Sequence, residues 1–294
     1  MGVEKGPTRN EASRFKKAEQ FALGLIEDRF DGELAYHNTK HTSRVIKDTG
    51  RILTVMNSID PIAVPKIDIL RGRFVAAFHD VVQEYDLMPQ EIGDMVVDKI
   101  ERHPDNEAKS AFEARRYMAT TDLDPANREW VHKDIMCTAT LPDSVYVRSF
   151  YQPNLYAEQS FIGLAVALAD LGVAGMHGPA DLHEDGVALF REQFVGVADL
   201  LGDVGLTDQQ KKDTKDFMLA WLKGQIGFAK GREARTGLEV GLLPEDMRGP
   251  VWELFPHFQQ SIIRAERHYD LAQEFSLREL ATFFGYDANG TLYS

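Results

Sequence analysis

The stretch FVAAFHDVV, residues 74–82, decides how the rest of this chain is read. Its apolar members (Phe74, Val75, Ala76, Ala77, Phe78, Val81 and Val82) surround a helix axis instead of marking one face of it. A helix apolar on every side belongs inside a protein, so His79 and Asp80 are expected inside it as well. A second stretch of the same kind, FIGLAVALADLGVAGM at residues 161–176, carries Asp170 as its only charged residue. A carboxylate buried without a partner costs several kcal/mol or gives up its charge. One divalent cation would resolve both cases, because neutral imidazole and ionised carboxylate are ligand types that borderline divalent metals accept. Taken singly, each segment also fits a plainer reading, a hydrogen-bonded core histidine or an aspartate capping a helix.

Outward from these segments the 3.6-residue period dominates, and no stretch alternates for long as a strand would. Helices are expected at about 11–30, 39–56, 64–83, 89–102, 107–119, 125–140, 158–171 and 183–201, which makes the fold class all-α. Asp124-Pro125 has the form of an N-cap followed by proline at the first helical position. Thr207-x-x-Gln210 and Ser276-x-x-Glu279 have the form of capping boxes. Residues 227–250, rich in Gly and Arg and ending PEDMRGP, have the composition of a long loop or linker. Beyond it the chain is aromatic and amphipathic, fit for two or three short helices. The division expected is a main domain over 1–205 and a helical extension over 206–294, packed on that domain or used for homo-oligomer contacts.

The chain has 294 residues, 44% of them hydrophobic, enough for one large domain with an appendage. A net charge of −13 repels phosphate backbones, which argues against indiscriminate binding to long nucleic acid. The single cysteine, Cys137, allows no internal disulfide and fits a reducing compartment. The N-terminus lacks the apolar core of a signal peptide, and the run at 161–176 is shorter than the ~20 residues of a membrane helix. A cytoplasmic protein with no membrane association is expected.

Tyr36-His37-Asn38-Thr39-Lys40-His41 adds two histidines four positions apart where a helix begins, a spacing that would put both on one face. By itself this is also the pattern of two surface histidines. The ordered set is more specific: YHNxxH, an apolar helix bearing His-Asp about forty residues later, then a distant Asp in another apolar helix.

That set resembles the HD superfamily of metal-dependent phosphohydrolases, whose members share the order His, His-Asp, Asp along a helical bundle. It is most similar to small bacterial and phage members that couple YHNxxH with FHD and a downstream NE-x-x-S, here Asn106-Glu107-x-x-Ser110. ALADLGVAG and LFREQF look like that family too, and YHNxxH is also similar to cyclic-nucleotide phosphodiesterases. The likeness covers roughly residues 20–200. It implies that His41, His79, Asp80 and Asp170 bind metal and that His37 donates a proton to the leaving oxygen. The ion would be Mn, Fe, Co, Ni, Zn or Mg, with Asp80 able to bridge to a second one or to orient the attacking water. The substrate implied is a small phosphorylated metabolite, a nucleotide foremost. Where relatives carry Tyr after the HDVV stretch, this chain has Gln83 and then Glu84, which bears on substrate contacts.

Further candidates come from position. Glu84, a helical turn beyond Asp80, is a candidate base or else a solvated surface carboxylate. Asn38, Glu107 and Arg191 are candidate substrate contacts; Glu107 could equally open a helix, and Arg191 could equally form a salt bridge. His177 and His183, in GMHGPADLH, could rim the site. His103, His132, His257 and His268 have surface contexts, Cys137 reads as a core residue, and Trp252, Phe255, Phe258 and Tyr269 read as core aromatics. Two other functions fit parts of the pattern. One is a non-catalytic, metal-stabilised nucleotide sensor; the other is a di-iron HD oxygenase, which would need ligands such as His103 and His132.

Overall fold

Residues 74–78 are wholly buried, as their composition requires, and the helix that carries them is the axis of the molecule. In the computed structural model, residues 6–30, 32–121, 123–124, 128–146, 149–156 and 160–287 are described. The chain opens with α1 (Arg9–Phe30), α2 (Thr39–Ile59) and the axial α3 (Lys66–Phe78). An antiparallel hairpin follows, β1 (Tyr85–Ile92) with β2 (Met95–Arg102), then α4 (Asn106–Thr121) and α5 (Trp130–Met136). A two-residue pair, β3 (Leu141–Pro142) with β4 (Phe150–Tyr151), leads into α6 (Phe161–Asp170), α7 (Val173–Met176), α8 (Pro179–Gln193) and α9 (Val197–Gly202). The chain ends with α10 (Asp208–Val240), α11 (Glu245–Trp252), α12 (Phe258–Gln273) and α13 (Leu277–Phe283). The architecture is all-α apart from these two small sheets. No helix among the described residues is long and apolar enough to cross a membrane.

α3 packs against α1, α2, α4, α5 and α6, and this set forms the larger apolar cluster. A second cluster joins Ile92, Met95 and Val97 of the hairpin to Phe190 and Phe194, to Met218 and Leu222 of α10, and to Leu280, Phe284 and Tyr286 at the C-terminal end. Both clusters draw on residues before and after position 205: Val251, Phe255 and Phe258 belong to the first. The described residues 206–287 therefore pack directly on the rest of the chain.

Several expected elements differ, each for a local reason. The helix expected at 89–102 is the β1–β2 hairpin. Ile92, Met95 and Val96 mimic helical spacing, but Gly93-Asp94 makes a two-residue turn with Gly93 at φ +62°, the left-handed geometry such hairpins need. The loop expected at 227–250 is instead the second half of the 33-residue α10, followed by α11, which contains Pro250. Ion pairs brace the helix across its glycines there: Arg232 bonds Glu239 within the helix, and Arg235 bonds Asp143 of the segment between β3 and β4. The helix expected at 64–83 stops at Phe78, and that at 183–201 starts earlier and breaks between α8 and α9. Asp124 does not cap α5. It sits at φ +44° and accepts a hydrogen bond from Arg71 Nε, while Pro125 and Glu158 lie outside the described residues. The capping boxes at Thr207 and Ser276 open α10 and α13 as expected.

Candidate metal centre

Three chain segments deliver the ionisable residues singled out in the sequence. His41 stands in the first turn of α2, whose N-cap is Asn38: its Oδ1 accepts from the backbone N–H of Lys40 and His41, and its Nδ2 donates to Ala35 O. His79 and Asp80 follow α3 directly. The turn that carries them is clamped by α4, where Ser110 Oγ accepts from Val82 N and Asn106 bonds both the N–H and the C=O of Glu84. The Asn106-x-x-x-Ser110 spacing thus has a mechanical role, fastening the His-Asp turn to α4. Asp170 is the last residue of α6.

These residues meet. His41 Nε2 lies 3.2 Å from Asp170 Oδ1 and 3.6 Å from Asp80 Oδ2. His79 Nε2 lies 3.1 Å from Asp80 Oδ2 and 3.4 Å from Asp170 Oδ1. Ligand atoms about 2.1 Å from a common ion stand roughly 3.0 Å apart at right angles and roughly 3.4 Å apart in a tetrahedron. Three of the four separations fall in that range, and the fourth, 3.6 Å, lies just beyond it. His79 Nδ1 donates to Ala76 O at 2.7 Å, which leaves the lone pair of a neutral ring on Nε2, facing the carboxylates. Both ring nitrogens of His41 and Nε2 of His79 are buried and have no hydrogen bond of acceptable geometry. Buried polar atoms rarely stay unsatisfied, and a cation satisfies the two Nε2 atoms together. His41, His79 and Asp80 form a buried cluster able to hold a metal ion, and Asp170 faces both imidazoles of it.

The charges around the cluster are organised to match. Burial pushes the Asp80 carboxyl up, but His79, His37 and Arg102 outweigh it and hold the group well below the usual carboxylate range. Asp170 behaves alike: burial opposes its charge, and the facing rings of His41 and His79 restore it. Asp80 Oδ1 also accepts from Gln83 Nε2 at 2.8 Å, so Gln83 holds a cluster carboxylate in place. Arg102 Nη2 stands 3.6 Å from Asp80 Oδ1 and 3.7 Å from Glu107 Oε1, beyond good hydrogen-bond range, and its Nε has no partner.

No family model, curated protein or solved structure matches the chain. The chemistry is therefore argued from the geometry.

His37 does not share a helical face with His41; it lies in the bend before the N-cap, with ring centroids 6.1 Å apart. It is held by Glu192 of α8. One carboxylate oxygen meets His37 Nδ1 and the other accepts from the backbone N–H of Tyr36 at 2.8 Å and of His37 at 2.9 Å. Burial pushes Glu192 up, yet His37 and these bonds hold it below its ordinary value. Glu192 is not among the residues that the sequence singles out. An acidic residue among apolar ones in ALFREQF was the signal available.

Other candidates separate. Glu84 is not brought to the cluster: its half-exposed carboxylate pairs with Lys109 Nζ at 2.5 Å and faces His103. The helix end at Phe78 changes its direction relative to a continuous helix. Asn38 uses both halves of its amide on backbone, which makes it a helix cap and loop tie. Glu107 stands near the cluster; burial pushes its carboxyl up against the pull of Arg102, and Asp80 and Asp170 add to the rise. Arg191 forms no salt bridge with any described residue. It lines a cavity of about 330 Å³ together with His41, His183, Lys40 and Phe283. His177 pairs with buried Asp48 instead of rimming the cluster. His132 is exposed, and Cys137 is a core residue whose thiol burial pushes up to about 12. Phe255 and Phe258 stack in the core, whereas Trp252 keeps 38% of its surface exposed.

Proposed function

We propose that this protein is a metal-dependent hydrolase of phosphate esters, acting on a small metabolite and foremost on a nucleotide, as its likeness to the HD superfamily implies. The observation that carries the proposal is the convergence of two buried, partnerless imidazole nitrogens and two carboxylates at ligand-to-ligand spacing. His41, His79, Asp80 and Asp170 would hold the ion. A divalent ion there would supply a more acidic water and neutralise charge at phosphorus.

The protein's own groups divide the remaining work. Arg102, with no strong partner, is placed to meet a phosphoryl oxygen next to Asp80. Glu107, raised by burial and beside the cluster carboxylates, takes the role of base that the sequence offered to Glu84. His37 is oriented through Nδ1 by Glu192, which leaves Nε2 to give its proton to the leaving oxygen. A sensor without turnover would have no use for a proton donor held in this way. The di-iron alternative lacks support in the geometry, since His103 faces Glu84 and Asp86 and His132 is exposed.

The test couples metal analysis of the purified protein to a panel of nucleotides with Mn2+, Co2+ or Mg2+. Phosphate or nucleoside release is expected from some member of the panel, and His79→Ala should abolish both release and metal content. Hydrolysis that survives His79→Ala with metal content unchanged overturns the reading.

A further inference from the structure

The cavity beside His41 has an uneven charge inventory. Its lining carries Lys40, Glu184, Asp185, His183 and Arg191. Lys40 pairs with Glu184, and Asp185 is taken by a two-pronged bond from Arg44. Arg191 has no hydrogen bond or ion pair with any described residue, and its Nε is buried. His183 Nδ1 is likewise buried without a partner, and burial beside His268 and Arg264 pushes that ring down to about 4. With Arg44 from outside the lining counted against Asp185, Arg191 is the one charge of the lining left unpaired among the described residues, and the same lining holds a neutral ring nitrogen. A buried donor without an acceptor is costly, and an anionic ligand supplies the acceptor.

The C-terminal end of the chain builds the opposite wall. Leu280, Ala281, Phe284 and Tyr286 anchor it in the second apolar cluster, while Thr282, Phe283 and Gly285 face the cavity. Gly285 sits at φ +80°, and a Cβ there would stand 2.9 Å from Arg191 Nη1. The guanidinium thus lies against the bare backbone of this turn, which sets where it points. This wall belongs to the segment outside the part of the chain that resembles a known family.

We infer that this cavity is a second anion subsite, which selects substrates carrying another phosphate or carboxylate on the leaving group, and that Arg191, set by Gly285, is its anchor. The inference rests on the phosphohydrolase reading for the first anion, which the metal cluster receives; His41 borders both places.

Non-hydrolysable ligands separate the two. The metal-loaded protein is titrated calorimetrically with alkylphosphonates, α,ω-alkanebisphosphonates and ω-phosphonocarboxylates over a range of chain lengths. At the fitting length a doubly anionic ligand should bind about tenfold tighter or more than the monophosphonate, in line with one charge-assisted contact. Whether the second phosphonate or the carboxylate gains more identifies the natural group. Arg191→Gln should erase the advantage and leave monophosphonate affinity and metal content unchanged, and Gly285→Ala, which alters no charge, should reduce it. The inference is overturned if no length shows an advantage, if the advantage survives both substitutions, or if monophosphonate binding falls equally. A protein that shows the advantage but keeps its metal and hydrolysis in His79→Ala loses the metal reading alone. One that loses both in His79→Ala yet shows no advantage loses the subsite alone.

Discussion

Asp134, packed beside the start of α6, and Asp170, the last residue of α6, are both buried, yet they are treated in opposite ways. Asp134, on α5 beside the start of α6, receives one hydrogen bond from Ser160 Oγ at 2.5 Å, and its Oδ2 has no partner. Burial pushes its carboxyl up to about 6. Asp170, at the end of α6, is buried too, but His41 and His79 face it and hold it below the usual carboxylate range. Burial alone yields an acid that tends to keep its proton. Only a site furnished with facing nitrogens holds the charge, and holding charge where water is excluded is what a cation site needs.

The largest effect follows from neutralising the second aspartate. Asp170→Asn removes a charged oxygen that faces both imidazoles, and several kcal/mol of transition-state stabilisation depart with the ion. Metal content should fall to background, and hydrolysis should drop by about a thousandfold or more. The same change at the first, Asp134→Asn, should leave both untouched. Metal retained in Asp170→Asn would erase the distinction between the two carboxylates.

Asp134 provides the next test, through stability. Its folded value, about 6, lies above the ordinary 3.8. Below pH ~4 the group is protonated whether the chain is folded or not, and contributes nothing. As pH rises the unfolded chain ionises first, so stability is lost between pH ~4 and ~6, by about 2–3 kcal/mol. Asp134→Asn should therefore stabilise the protein at pH 8 by about that amount and have little effect at pH 4. Denaturant unfolding at the two values measures it. An equal effect at both would mean that the carboxyl is not held neutral by burial.

The same contrast shows what the sequence could disclose. FVAAFHDVV and FIGLAVALAD announced burial all round, so the axial helix and its ionisable passengers were legible from composition, whereas their convergence with His41 was implied only by the resemblance of the ordered set to a known family. Periodicity could not see the hairpin, because Ile92, Met95 and Val96 satisfy a helical period as well as a strand, and the turn at Gly93-Asp94 carried the deciding signal. α10 was hidden by its glycines, and the pair that ties it to the segment between β3 and β4, Arg235 with Asp143, joins residues too far apart in sequence for a local pattern to show. Glu84 was misjudged through helix continuation, and Arg102 was placed in a helix that does not form. Glu192 lies 155 residues from His37, a distance over which no local pattern speaks.

Glu192 is a third buried carboxylate and sharpens the comparison most finely, because charge and hydrogen bonding can be parted there. Like Asp170 it is held ionised against burial, here by His37 and by two backbone N–H groups. Glu192→Gln keeps an oxygen that can accept from that backbone but removes the negative charge beside the ring. A partner of this kind orients a histidine and raises the basicity of its far nitrogen, at a cost of ~10- to 100-fold when lost. With the loop still tied, kcat should fall by about tenfold, the lower end of that range, with metal content and KM little changed. An unchanged kcat would reduce Glu192 to a tether for residues 36 and 37, and His37 would then need another explanation for being buried against a carboxylate.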